Sequence, residues 1–313
     1  MIFVILILLP LTWLCWNILF PLIRIVVNYT YGVKHWSARN CIRVSGDWAV
    51  VTGACGPLGR AYVCELAGEK LHVLLLDKDK NALEELATHI GQTYGVLTQL
   101  VAADLTTSKD YEEINRRISS LPSIGCLVNA AEFRCDPTEQ PMMSKGSMES
   151  LDFVERMILC NVQSMAAITR ICLPKMIHQV PFKASIINVS SALATISCPK
   201  YSLYAASKCF APAFSRSLRN ELRLPSITIQ AVCPGPLTLS RRSTFTSKAG
   251  TIWAPSPDKF VHSSLTMLGI EDETCGYLPH AILALFMQYI PHSFISKAWP
   301  KFSKSLACEP TAV

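Results

Sequence analysis

In "YSLYAASK" a phenol and an ammonium, Tyr204 and Lys208, stand four residues apart. On a helix both would project from one face, with Cβ atoms about 5–6 Å apart. A free phenol has a pKa near 10, and a neighbouring cation lowers it by about 1–3 units, which would make Tyr204 a workable general acid or base. Tyr201 has Ala205 at its fourth following position and lacks such a partner. Ser191 closes the apolar run "ASIINVSS" and could hydrogen-bond an oxygen that exchanges a proton with Tyr204. Asn161 could hold a water that links Lys208 to solvent.

A second constellation lies upstream in "TGACGPLGR", residues 52–60. Gly53 suits a tight turn after a strand, and Gly59 suits close packing of the helix that follows, because no Cβ intrudes at either place. Pro57 stands where a third glycine would let the backbone approach a pyrophosphate, and it has no N–H to offer. Proline is nevertheless favoured in the first turn of a helix, Gly56 can take over the close approach, and the amides of Leu58 and Gly59 remain for an anion. Asp77 ends the next apolar run, at the spacing where a carboxylate accepts hydrogen bonds from an adenosine ribose. It would repel a ribose 2′-phosphate, which Lys78 could pair with instead, so the pattern favours NAD(H) over NADP(H) while leaving both open. Asp104, closing the third apolar run, could orient the adenine.

These residues need a scaffold that brings strand ends together. Short apolar runs at 48–54, 71–77 and 97–105 alternate with helical spacing at 60–69 and 80–92, which reads βαβαβ. The alternation continues through "EEINRRISSL" (helix), "GCLVNAA" (strand), a long helix over 148–178, a strand at 184–191, a helix at 203–222 and a strand at 227–234. Continuous apolar strands between amphipathic helices predict an α/β fold, a single Rossmann-like doubly wound parallel sheet with a crevice at its carboxyl ends. Two long connections, 134–147 and 236–258, interrupt the pattern; Phe245 and Trp253 make the second a candidate substrate lid. The apolar stretch 281–295 is expected to pack in the core or touch a membrane, core packing being preferred.

Half of the 313 residues are hydrophobic and 17% are charged, which excludes disorder. The net charge of +6 comes without any basic run beyond a pair, so nucleic acid is not an expected partner. Thirteen cysteines are scattered without a C-x-x-C pair, and the histidines lack ligand spacing, so no metal site is expected. Cys126, Cys160, Cys172 and Cys233 read as small buried thiols. Residues 1–23 carry no charged side chain and as a helix would span about 34 Å, enough for a hydrocarbon core of about 30 Å. Basic residues follow, from Arg24 to Arg43, which places the rest of the chain in the cytosol. The expected organisation is an anchor over 1–27, a connector over 28–45, the catalytic-type domain over 46–290 and a tail over 291–313.

Taken together, "DWAVVTGA", "LCNVQSM", "INVSS", "YSLYAASKCFAPAFSRSL" and "ETCGYLPHAILALF" resemble the short-chain dehydrogenase/reductase family over about residues 46–290. The likeness is strongest to its membrane-anchored 17β-hydroxysteroid dehydrogenases, very-long-chain 3-oxoacyl-CoA reductases and hydroxysteroid dehydrogenase-like members. The resemblance implies a catalytic set of Asn161, Ser191, Tyr204 and Lys208, and a nicotinamide cofactor contacted also by Asn129, Pro234 and Gly235. It further implies a lipophilic steroid or acyl substrate, an endoplasmic reticulum membrane, and a homodimer through the helices around 148–178 and 203–222. The chain departs from the family in three places. Asn129-Ala130-Ala131-Glu132 replaces Asn-Asn-Ala-Gly, Pro57 replaces a glycine, and Asp77-Lys78 replaces the Ser-Arg of the NADP(H)-using anchored reductases. These departures motivate an alternative, a non-catalytic binding or scaffold protein.

Overall fold

The computed structural model describes residues 9–42, 45–134, 149–179, 183–196, 201–238, 250–291, 293–295 and 297, the side chains of 149–150 excepted. The first eight anchor residues, the connection 135–147, Phe245 and the tail from 298 lie outside the described residues.

Each long apolar run forms a strand. β1 (Trp48–Thr52) pairs in parallel with β2 (His72–Asp77) on one side and β4 (Ile124–Asn129) on the other. β2 continues to β3 (Thr98–Ala102), and β4 continues to β5 (Ala184–Val189), β6 (Ile227–Val232) and a two-residue β7 (Glu273–Thr274). The sheet order is therefore β3-β2-β1-β4-β5-β6-β7. Strand order reverses between β1 and β4, the switch point where ligands of such sheets bind.

Every residue of β1, β4 and β5 is buried, because helices cover both faces. The helical stretch α1 (Leu9–Ile42) precedes the sheet. α2 (Pro57–Gly68) and α3 (Lys80–Tyr94) cover one face, where Tyr62, Leu66, Leu83 and Leu86 meet Val51 and Leu75. On the other face lie α4 (Tyr111–Ser120), α5 (Glu149–Ile158), α6 (Ser164–His178) and α7 (Ser202–Leu222). There Ile114, Ile118, Ile168, Cys172 and Leu218 pack on Val50 and Leu127. α8 (Pro257–Thr266) returns to the first face through Phe260 and Leu265, and α9 (Leu278–Met287) follows β7. All four cysteines expected to be interior thiols are buried and free.

The structure corrects several sequence expectations. The long helix is present, with α5 running through a π-turn at Leu159–Gln163 into α6. β3 stops at Ala102 because Asp104 folds back, its Oδ1 accepting from the Thr106 amide at 2.9 Å and hydroxyl at 2.8 Å. Residues 28–42, expected as a connector, are helical over most of their length and dock on the domain. Asn28 donates to Glu271 at 2.8 Å, and Arg39 pairs with Glu65 at 2.5 Å and Glu69 at 2.9 Å. The stretch 281–295 divides its faces. Ala281, Leu285 and Ile295 are buried, whereas Phe286, Tyr289, Ile290 and Phe294 are exposed, and the Tyr289 hydroxyl donates to the Asn17 carbonyl of α1 at 2.5 Å.

Among the described residues, two helical stretches are long and apolar enough to cross a membrane, Leu9–Ile42 and Leu151–His178. The second is almost half buried and serves the core; no part of the first stretch's most apolar window is buried, and it leaves Trp13, Trp16, Phe20 and Ile23 exposed.

Candidate active site

α7 delivers Tyr204 and Lys208 to the carboxyl end of β5, both buried at 5% and 3% exposure. The Lys208 ammonium lies 5.8 Å from the Tyr204 ring centre and donates to the Val189 carbonyl at 3.4 Å. Sequence reasoning missed how α7 is tied there. Pro212 lacks an N–H, so the Lys208 carbonyl four residues earlier has no helical partner. The Ser190 hydroxyl fills that vacancy at 2.7 Å and couples the helix to the strand end beside Ser191. Ser191 caps a short 3-10 turn, accepting from the Leu193 amide at 3.2 Å, and lies close enough to Tyr204 to lower its phenol slightly against the larger upward shifts.

Asn161 sits in the π-turn, with its side chain bonded to the protein. Its Oδ1 accepts from the Phe133 amide at 2.7 Å, and its Nδ2 donates to the Phe133 carbonyl at 3.1 Å and the Ser207 hydroxyl at 3.0 Å. The side chain is a two-point clamp on the backbone that follows β4.

That clamped segment carries the residue with the largest effect on the site. Glu132 reaches back so that Oε1 accepts from the Tyr204 hydroxyl at 2.7 Å, while Oε2 lies 3.9 Å from Lys208 and Oε1 4.0 Å from Arg134. Burial pushes the Glu132 carboxyl up, but Lys208, Arg134 and the Tyr204 hydrogen bond outweigh it and hold it below the usual carboxylate range. Burial, followed by the charge and hydrogen bond of Glu132, drives the Tyr204 phenol well above its ordinary value. This reverses the expectation that Lys208 would lower it: the cation is neutralised by a carboxylate 72 residues from the tyrosine in sequence.

At the switch point Gly53 has φ +64°, and a Cβ there would lie 2.7 Å from the Ala131 Cα. The Thr52 hydroxyl accepts from the Ala130 and Ala131 amides, each at 3.1 Å. A Cβ on Gly59 would overlap the Gly53 carbonyl, so both positions require glycine. Pro57 is the first residue of α2, exposed and extending the helix rather than blocking the turn, with Gly56 as N-cap. The first ladder bond runs from the Arg60 amide to the Gly56 carbonyl, which leaves the Leu58 and Gly59 amides directed out of the helix end. Asp77 ties the loop to β2, its Oδ2 accepting from the Cys55 amide at 3.0 Å and its Oδ1 from the Lys78 amide at 2.8 Å. Glycine turn, helix amides and strand-end carboxylate fit a nicotinamide dinucleotide.

Other predicted contacts sit differently. Asn129 is 2% exposed and braces the sheet, its Nδ2 donating to Asn188 at 2.8 Å and Thr169 at 3.0 Å, while its buried Oδ1 has no partner among the described residues. Gly235 donates to His280 Nδ1 at 3.2 Å, and a Cβ there would lie 2.8 Å from the imidazole. His280 Nε2 then donates to the Trp253 carbonyl at 3.2 Å, which fixes a neutral tautomer; burial lowers its pKa. Sequence reasoning found no ligand spacing at His280, and nothing local in "GYLPHAIL" signals this bridge. Beside Tyr204, an apolar cluster of Met157 and Tyr201 with Phe133, Phe153, Leu193, Ile196 and Leu203 forms one wall.

The short chain dehydrogenase family model matches residues 47–249. Human 17-beta-hydroxysteroid dehydrogenase type 3 is 33% identical over 273 residues, covering 87% of this chain and 83% of the relative. Very-long-chain 3-oxoacyl-CoA reductase of Anas platyrhynchos is 32% identical over 263 residues, covering 83% of this chain and 81% of its own. Among solved structures, a 7beta-hydroxysteroid dehydrogenase superposes with a TM-score of 0.69 at 20% identity, over 84% of this chain and 99% of that one. A Sphingobium yanoikuyae short-chain dehydrogenase in complex with NADPH gives 0.61 at 20% identity, over 85% and 96%. At those identities the superpositions establish the fold.

Proposed function

The chain belongs to the short chain dehydrogenase family, an NAD(P)-dependent oxidoreductase of CH–OH groups, and on that premise we propose that it interconverts a ketone and a secondary alcohol on a lipophilic, membrane-dissolved substrate. The carrying observation is the convergence of Ser191, Tyr204 and Lys208 at the carboxyl end of β5, beside the glycine turn of β1. Bound nicotinamide supplies or accepts the hydride. Tyr204 exchanges the proton with the substrate oxygen, Ser191 orients that oxygen, and Lys208 holds the nicotinamide ribose. Asn161 positions the segment after β4. Gly53, Gly56, Leu58 and Gly59 would receive the pyrophosphate, Asp77 and Lys78 the ribose, Asp104 the adenine, and the Pro234-Gly235 turn the nicotinamide end. The Asp77 carboxylate supports NAD(H) over NADP(H), since a 2′-phosphate beside it meets like charge.

A steroid or 3-oxoacyl-CoA substrate is supported by the relatives' names and by the apolar wall around Tyr204. The exposed apolar side chains of α1 support a membrane anchor, with the domain on the cytosolic face of the endoplasmic reticulum. A homodimer through α5–α7 is part of the same reading. Nicotinamide fluorescence, titrated with NADH and NADPH on the detergent-solubilised chain, tests the core of it. Binding of at least one is expected; no binding of either at millimolar concentration refutes it in favour of a scaffold. Tyr204→Phe is expected to abolish turnover and leave cofactor binding nearly unchanged.

A further inference from the structure

Proton exchange at Tyr204 requires a path to water, and neither the Asn161 side chain nor the buried Lys208 ammonium opens one directly. The Asn161 side chain clamps Phe133 and Ser207, and the Lys208 ammonium is buried against the Val189 carbonyl. Glu132 has the missing geometry: one oxygen accepts from the Tyr204 hydroxyl at 2.7 Å, yet 27% of its side chain remains exposed, against 5% for Tyr204. The Asn161 clamp on Phe133 fixes the backbone next to it, so the contact is held from two sides.

We propose that Glu132 is the relay residue of this site, taking the Tyr204 proton as Tyr204 takes one from a substrate hydroxyl, and returning it when the reaction reverses. The proposal rests on the oxidoreductase reading above. In alcohol oxidation the substrate O–H bond breaks and its proton passes to the Tyr204 oxygen, whose own proton passes to Glu132 Oε1. The carbinol C–H electron pair leaves as hydride to the oxidised nicotinamide, and the Glu132 carboxyl releases its proton to water. In carbonyl reduction each transfer runs backwards.

The charges around Glu132 keep the relay loaded for oxidation. Lys208 from α7 and Arg134 from its own segment face the carboxylate, and both favour its ionised form. The Cys160 thiol from the π-turn, pushed up to about 11 chiefly by burial, is neutral there. Tyr204 adds its hydrogen bond. A buried phenol held protonated is a poor base alone; with an ionised carboxylate behind it, it accepts a proton while giving one away.

Three measurements on full-length wild type and Glu132→Gln test this. Fluorescence titration with NADH and NADPH addresses the underlying reading: a wild type that binds neither sinks that reading, whereas equal binding by both proteins shows that the variant folds and isolates the relay. Tyrosine labelled with 13C at Cζ, with Tyr204 identified by its loss in Tyr204→Phe, reports the hydrogen bond without substrate. The Tyr204 signal is expected to move as Glu132 titrates in acid and to stop moving in Glu132→Gln; the same titration in both overturns the relay. Oxidation of estradiol, a 17β-hydroxysteroid, gives the kinetic readout. Wild-type kcat/KM is expected to be flat between pH 6 and 9, and that of the variant at least about tenfold lower at pH 7, rising about tenfold per pH unit as the phenol must ionise by itself. A variant with the wild-type profile, or faster than wild type because the carboxylate only obstructs the site, overturns the proposal. Cofactor binding without estradiol turnover counts against the steroid class, and the labelled tyrosine then decides the relay.

Discussion

Gly59→Ala would separate two jobs that one glycine performs. A Cβ at this third residue of α2 would overlap the Gly53 carbonyl oxygen, lie 2.7 Å from its carbon and 3.0 Å from the Ala54 Cα. All three atoms are backbone, so no rotamer change relieves the clash and α2 must back away from the turn. A retreat of about 1 Å stretches an amide–phosphate hydrogen bond from about 2.9 Å to beyond its useful range. Loss of one such charge-assisted bond costs about 1.5–3 kcal/mol, or about 10- to 150-fold in cofactor affinity. Stability suffers less. Overpacking costs about 1–3 kcal/mol, and the better helix propensity of alanine returns about 1 kcal/mol. Gly91→Ala is the matched control, because its Cβ would meet nothing within 4 Å in α3. It is expected to raise the melting temperature by a few degrees and leave binding untouched. Nicotinamide fluorescence titration paired with thermal unfolding reads both quantities. Wild-type cofactor affinity in Gly59→Ala would refute the placement of the pyrophosphate at this helix end.

Two further outcomes follow from the same coordinates. His280 is buried and its pKa is lowered, so below about pH 6.5 the unfolded chain binds a proton that the folded chain refuses. The fold should therefore lose up to about 1.4 kcal/mol per pH unit from this group as pH falls through that range, until the folded imidazole also titrates. Urea unfolding at pH 7.5 and 5.5 is expected to show a smaller pH effect in His280→Leu, which is less stable at pH 7.5 through loss of the Gly235 and Trp253 bonds; equal pH effects would contradict the assignment. If α1 is the proposed anchor, alkaline carbonate washing of membranes leaves the full chain in the pellet, its unburied apolar side chains remaining in lipid; release into the supernatant would rule out an inserted anchor.

The strands, their helical connections and the i, i+4 pairing of Tyr204 with Lys208 were legible in the sequence, because burial on one or both faces is written in local periodicity and the backbone needs no distant partner to follow it. Pro57 was legible too: proline at the first turn of a helix satisfies a local rule, and the structure places it there. Signals that depend on a distant residue were not. Glu132 read as a lost glycine, since its consequence arises only when α7 packs at the end of β5 and sets a phenol against the carboxylate. Asn161 read only as a holder of water, because its clamp is on Phe133, 28 residues away. His280 gave no local signal because its partners are the Gly235 amide and the Trp253 carbonyl.

Sequence alone determined that this chain is a doubly wound sheet with a glycine turn, a strand-end serine and a Tyr/Lys pair on the following helix. Only the tertiary structure decided the protonation chemistry of that pair. A pKa reports the summed field of every charge within a few ångströms, and the charges nearest the Tyr204 hydroxyl come from segments that no local pattern connects.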